Sequence, residues 1–174
     1  MESAATGSGL HWYAATTRSC QERKVASALE SMGVEHFLPV QKVARRWSDR
    51  VKMMDRLVLP RFIFIRTTEA ERVRPLENIP ALCRYLSNGG PYNPVVIPDA
   101  QMDAFRRMVE FGEDKVVMTD SFLAPGDKVR IVSGPLKGLE CELVTVRDKH
   151  CIAVRMGLLG AATLEVSRNV LEKI

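Results

Sequence analysis

Seven basic residues crowd the stretch from Gln41 to Arg61: Lys42, Arg45, Arg46, Arg50, Lys52, Arg56 and Arg61, opposed by Asp49 and Asp55. That stretch carries +5 and the whole chain +4 at neutral pH, so the remainder sums to −1. A cation-rich element on an otherwise near-neutral chain suits contact with a phosphate backbone, which releases condensed counterions on binding. A solvated hairpin that only keeps the protein soluble would have the same composition. Arg45, Arg46, Arg50 and Lys52 are the candidate backbone contacts.

Residues with catalytic or ligating chemistry are otherwise dispersed. Cys20, Cys83, Cys141 and Cys151 form no C-x-x-C pair, and His11, His36 and His150 are equally scattered. Such spacing predicts reduced, mostly buried thiols rather than disulfides or zinc ligands. His150-Cys151 reads as a turn histidine followed by a core cysteine. Asp99 and Asp103, four apart on a helix, could hold a cation, but read better as an N-cap and as compensation of the helix dipole. There is no P-loop, no G-x-G-x-x-G after a strand, no H-E-x-x-H and no G-x-S-x-G. The expectation is a non-enzymatic protein without metal or cofactor.

The elements that must position these residues can be read from periodicity. His11–Thr16 reads as a first strand. Ser19-Cys20-Gln21-Glu22 has the form of a capping box, followed by Val25, Leu29 and Met32 at helical spacing and Gly33 as a stop. Glu35–Val43 is the next expected strand, then the basic hairpin carrying Trp47, and Leu57–Ile65 the central one. Thr68 to Glu71 offers a second capping box for a short helix ending near Pro75, and Leu82–Leu86 a further strand. Pro98-Asp99 opens a third helix with Met102, Phe105, Met108 and Val109 on one core-facing side. The pattern dissolves from Gly112 to about Ala124.

Beyond it, Val129 and Ile131 alternate with Lys128, Arg130 and Val132. Gly134-Pro135-Leu136-Lys137-Gly138 interrupts, and Leu139, Cys141, Leu143 and Thr145 alternate with Glu140, Glu142 and Val144. Two half-buried strands around a glycine-bracketed turn predict the first hairpin of a small barrel, with the glycines at positive φ. Met1–Gly9 reads as a flexible tail without the basic and apolar regions of a signal peptide, and no apolar run is long enough to span a membrane. A cytosolic monomer is expected. The predicted organisation is a tail at 1–9, an α+β domain at 10–112, a linker at 113–124 and a β domain at 125–174.

The glycine-bracketed hairpin resembles a KOW motif. Together with Trp12-Tyr13, the Ser19–Met32 helix, the strand Leu59-Pro60-Arg61-Phe62-Ile63-Phe64-Ile65 and the Ile97-Pro98-Asp99 helix start, it makes the chain resemble the NusG family of transcription elongation factors from Trp12 to Ile174. The resemblance implies a ferredoxin-like N-terminal NGN domain and an SH3-like C-terminal KOW barrel. It implies docking of the NGN domain on the clamp helices of RNA polymerase, here through Tyr13, Leu59, Phe62 and Leu86, with suppression of pausing and termination. Many family members have Pro-Gly-Tyr where Pro60-Arg61-Phe62 stands, and an aromatic before Gly160 where this chain has Leu159. Both departures resemble the specialised RfaH and UpxY types, which serve particular operons, the latter those for surface polysaccharides. In the RfaH type the region of Arg18, Gln21 and Lys24 reads non-template DNA; nascent RNA is the other nucleic acid within reach. The barrel, through Leu158 and Leu159, would meet a small-subunit ribosomal protein, and the missing aromatic argues against Rho. Two other readings stay open: a housekeeping factor coupling polymerase to Rho or the ribosome, and a ribosome-associated RNA-binding KOW protein.

Overall fold

A computed structural model describes residues 9–113, 115–119 and 123–174; except for Gly9, the expected tail lies outside the described residues. In chain order the elements are β1 (His11–Thr17), α1 (Glu22–Ser31), β2 (Glu35–Phe37), β3 (Val40–Arg46), β4 (Val51–Leu57), β5 (Phe62–Thr67), α2 (Val73–Asn78) and β6 (Leu82–Tyr85). They continue with β7 (Val96–Ile97), α3 (Asp99–Phe111), β8 (Val117–Thr119), β9 (Asp127–Ile131), β10 (Glu140–Val146), β11 (Lys149–Arg155), β12 (Ala161–Glu165) and β13 (Leu171–Lys173). Two compact units result: one reaches Leu38 and resumes over Pro60–Asp99, the other joins Pro39–Leu59 to Ala100–Ile174. This division departs from the expected domain boundaries by moving the basic hairpin and nearly all of α3 into the unit of the C-terminal strands.

In the first unit β2, β5, β1 and β6 pair in that order, all antiparallel, and β7 adds to β1. With α1 following β1 and α2 following β5, this is the expected ferredoxin-like order. Tyr13 and Ala15 lie opposite Ile65 and Ile63, and residues directly opposite each other share a sheet face. That face meets Val25 and Leu29, one turn apart on α1, and Ile79, Ala81, Leu82 and Tyr85, forming the core. Gly33 ends α1 in a Schellman arrangement: its N–H donates to Glu30 O and that of Val34 to Leu29 O, both at 3.0 Å.

Several local expectations are corrected. The first capping box does not form: Gln21 is the N-cap without a side-chain bond. Glu22 is instead buried, and its Oε1 accepts the N–H of Arg61 at 2.9 Å. The expected strand Glu35–Val43 breaks into β2 and β3 at Leu38-Pro39, because proline has no N–H for a ladder. The expected strand from Leu57 starts only at Phe62, since Arg61 turns the chain with φ +67°. The helix α2 runs through Pro75 to Asn78, for an N–H lost in the first turn had no helical partner to lose. The second box forms only in part before it: Glu71 N donates to Thr68 Oγ1 at 3.2 Å, but Glu71 Oε2 accepts the Thr68 hydroxyl, at 3.5 Å, in place of its N–H, and the N-cap of α2 is Arg72 without a side-chain bond.

In the second unit β3 and β4 form a two-stranded ribbon, and β13, β9, β10, β11, β12 and β8 a six-stranded antiparallel sheet. Buried Gln41 ties the base of the ribbon to its surroundings. Its Nε2 donates to Val109 O at 3.1 Å, and its Oε1 accepts from Arg56 Nη2 at 2.9 Å and Val116 N at 3.3 Å. Arg56 Nη2 also donates to Val116 O at 2.9 Å. Met102, Phe105, Met108 and Val109 of α3 are buried together as expected.

Val129 and Ile131 point inward as read, and Gly134 and Gly138 adopt the positive φ that the turn requires. The alternation on β10 is corrected: Val144 is buried and Thr145 exposed. The reason is a second covered face, where Val144, Cys151, Ala153 and Ala161 pack with Leu123. Arg155 holds that cover down. Its Nε and Nη2 grip Glu142, the shortest contact being 2.8 Å, while Nη2 donates to Leu123 O at 3.2 Å and Ala124 O at 3.4 Å. Within the expected linker, Val117–Thr119 is the strand β8, paired with Ala161–Thr163.

Two predictions follow from these contacts. A non-glycine at φ +67° costs of order 1–3 kcal/mol, partly offset in glycine by its freer unfolded chain. Arg61→Gly should therefore raise unfolding stability by about 1 kcal/mol in urea titration; a loss would mean that the arginine side chain itself stabilises the turn. The Arg155 hydrogen bond, ahead of opposing burial, holds the Glu142 carboxyl below its ordinary value. Its contribution is present above the usual carboxylate range and lost as pH falls through the depressed value. Glu142→Gln should lower stability at pH 7 and flatten the acid limb of the stability profile, whereas an unchanged acid limb would remove this pair as a source of acid sensitivity.

Candidate functional site

The face of the first sheet that turns away from α1 carries the side chains that alternate with this core: Trp12, Ala14 and Thr16 on β1, with Phe64 opposite Ala14 and Phe62 opposite Thr16. Trp12, Ala14 and Phe64 are themselves buried, while Thr16 and Phe62 are half-buried. On its other edge Thr16 faces Arg84, and the Thr16 hydroxyl donates to Arg84 O at 3.2 Å. The N–H of Leu86 donates to Ala14 O at 2.8 Å, one step beyond β6. Phe62 and Leu86, both half-buried, thus share one face, with exposed Arg84 beside them.

Tyr13 cannot belong to that face, which corrects its expected role. It points to the opposite side, is 2% exposed and packs on Tyr85 with ring centroids 5.6 Å apart. Burial raises its hydroxyl pKa above the ordinary value. Leu59 is half-buried in the second unit, in the turn after β4. Arg84 escaped the sequence reading because the face of a four-residue strand is decided only by its register.

Arg18, Gln21 and Lys24 are brought together. With Ser19, Asn78 and Pro80 they line a cavity of about 400 Å³ beside the start of α1. The Arg18 N–H donates to Ala81 O at 2.8 Å, and Gln21 N to Arg18 O at 3.2 Å, which sets the turn holding the three side chains. An arginine and an amide side chain here have the donor and acceptor sets that pair with guanine and adenine edges, and Lys24 adds a point charge for phosphate.

Arg45, Arg46, Arg50 and Lys52 are all exposed on the ribbon. Arg45 lies directly opposite Lys52, and Arg46 opposite Val51. Leu158 is exposed and Leu159 half-buried on the 3-10 turn Gly157–Leu159, between β11 and β12.

Nothing among the described residues assembles a catalytic or metal centre: no three His, Cys, Asp or Glu side chains come within ligating reach of one another. Asp99 is the first residue of α3 and faces Arg66 Nη2 at 3.5 Å, a charge partner in place of a cation. The expectation of mostly buried thiols is corrected, since Cys20 and Cys83 are exposed; all four are free. The scattered spacing carried no information on burial, and Cys20 sits in the turn before α1 at φ +59°. Burial pushes the Cys141 thiol up to about 11 and raises that of Cys151, so neither supplies thiolate near neutral pH. No helix of the described residues is long and apolar enough to cross a membrane.

The chain matches a relative from Helicobacter pylori (strain J99), a transcription termination/antitermination protein NusG, at 21% identity over 95% of this chain and 99% of the relative. Among solved structures, one of Thermotoga maritima NusG, described by its domain interaction, covers 95% of this chain and 97% of its own at 21% identity, with a TM-score of 0.52. That likeness supports the fold. A family model described as transcription termination factor nusG matches residues 10–106. With more than half of the chain inside that match, this protein belongs to the NusG family of transcription termination and antitermination factors.

Proposed function

We propose that this chain is an elongation and antitermination factor that docks on the clamp helices of RNA polymerase and suppresses pausing and termination on particular operons. The observation that carries this reading is the half-buried end of the second sheet face of the first unit, where Phe62 and Leu86 offer apolar anchors beside exposed Arg84. A few such anchors supply most of the affinity of a helix lying on a groove or face. By binding the closed clamp more tightly than the open one, the protein would shift the polymerase toward its processive state without any chemistry.

The Arg18, Gln21 and Lys24 cluster supports contact with an exposed single strand, and the ribbon supports contact with the phosphate backbone. Leu158 and Leu159 form the part of the C-terminal sheet proposed to meet a small-subunit ribosomal protein. Leu159 in place of an aromatic disfavours Rho, and Arg61 in place of a glycine argues for a specialised member of the family over the housekeeping one. Surface-polysaccharide operons are the proposed targets, and the cytosol, where polymerase works, the proposed location.

Immobilised full-length protein should retain RNA polymerase from a lysate of the source cells, and Phe62→Asp should reduce retention at least tenfold while leaving the circular dichroism spectrum unchanged. Because Phe62 is half-buried, Leu86→Ser serves as a second probe of the same face. Polymerase absent from the wild-type bait, or retained equally by both variants, would refute docking through this face. Reversing charge with Arg45→Glu and Arg46→Glu should flatten the salt dependence of association with an assembled elongation complex. An unchanged slope would take the ribbon out of the nucleic-acid path.

A further inference from the structure

The two long faces of the ribbon differ in a way that specifies a ligand. One face carries, from base to tip, the opposed pairs Gln41 and Arg56, Val43 and Met54, Arg45 and Lys52. The bond from Trp47 N to Arg50 O, at 2.8 Å, extends the ladder by one step, so Trp47 and Arg50 complete that face. The other face pairs Val40 with Leu57, Lys42 with Asp55, Ala44 with Met53 and Arg46 with Val51. The first face therefore ends in three cations around one tryptophan, with no carboxylate: Asp55 lies on the other face and Asp49 in the turn.

That arrangement is unfavourable for a bare ribbon. Arg45 and Lys52 stand directly opposite each other, where like charges destabilise pairing, and a two-stranded hairpin is only marginally stable without help. The buried Gln41 and Arg56 bonds hold the base, but the tip is open among the described residues: Trp47 is 56% exposed, and Arg45, Arg50 and Lys52 are exposed as well. None of these four side chains has an ion pair or ring contact among the described residues. An anion would relieve the repulsion, and an exposed indole set among cations offers a flat apolar surface to one that also carries planar rings.

We infer that this face binds a single-stranded nucleic acid, with one base stacked on Trp47 and the adjoining phosphates held by Arg45, Arg50 and Lys52. The inference rests on the proposed role of the ribbon in nucleic-acid contact and narrows it from backbone attraction to strand type. A duplex presents phosphates but keeps its base faces stacked inside, so it can engage the cations and not the indole. A single strand engages both, largely without regard to sequence, because every base has a π-face.

The chain has two tryptophans, and Trp12 is 2% exposed, so fluorescence changes on binding report Trp47. With the full-length protein alone, a 12-nucleotide oligothymidylate or oligouridylate should quench that emission saturably, and comparison of the two tells whether DNA or RNA is preferred. A 12-base-pair duplex should bind more weakly and quench little. By anisotropy of a labelled oligonucleotide, Trp47→Ala should weaken binding roughly 5- to 150-fold, the range for loss of one stacked base, and Trp47→Phe should recover most of it. Arg45→Ala with Lys52→Ala should lower the slope of log affinity against log salt by about 1.4, at about 0.7 per single-strand phosphate contact.

Equal binding of duplex and single strand, unchanged affinity in Trp47→Ala, or displacement of the oligonucleotide by polyglutamate at equal charge would each overturn the inference. A salt slope that still depends on Arg45 and Lys52, with no effect at Trp47, would leave backbone contact standing and refute stacking. Polymerase docking through Phe62 is untouched by any of these outcomes.

Discussion

The pairing of β1 with β5 sorts the side chains of the first unit between the two faces of its sheet. Side chains alternate strictly along a strand, so the register Tyr13 to Ile65 and Thr16 to Phe62 sends Tyr13 against the helices and Phe62 to the opposite face. A slip of one residue would exchange the two sets entirely. The fit of Tyr13, Ala15, Ile63 and Ile65 against α1, and the burial of Trp12, Ala14 and Phe64 on the opposite face, oppose that slip, since each set would have to repack in the space of the other. Phe62 and Thr16 lie at the half-buried end of that second face, whose other members are buried. Leu86 and Arg84 join it because β6 pairs with the other edge of β1.

A second constraint is polar. The basic ribbon has no third strand and little apolar surface of its own to bury, yet its base is fastened by Gln41, whose amide serves two donors and one acceptor at once. A buried amide left unpaired costs roughly 1–3 kcal/mol, so such a network tends to be kept whole or lost together. Anchoring the base by specific bonds leaves the tip free of packing requirements. Its side chains can then be chosen for an external ligand, which is why cations and an exposed tryptophan can accumulate there. The same logic appears at Arg61, where a strained backbone conformation is held by Glu22 below and by Thr17 N on its carbonyl, while the side chain points to solvent.

Much of the architecture was legible because it follows from short-range periodicity. Val25 and Leu29 marked α1, Met102, Phe105, Met108 and Val109 marked α3, and the glycine-bracketed alternation marked β9 and β10. Errors arose where a residue's local preference was overruled by a partner far along the chain. Glu22 looked like a capping residue until Arg61, thirty-nine positions later, claimed its carboxylate. Val144 looked solvent-facing until Leu123 covered the second side of its sheet.

Residue order and type alone therefore determined the main helices, the first strand and the C-terminal hairpin, the location of the positive charge and the family. These depend on periods of two and 3.6 residues, on turn chemistry and on spacing, all of which are written locally. Only the tertiary structure decided that Tyr13 is core while Arg84 shares a face with Phe62, that Arg18, Gln21 and Lys24 line one cavity, and that Trp47 stands with Arg45, Arg50 and Lys52. Those facts depend on strand register and on contacts between distant segments, and a face has no meaning until both strands that make it are paired.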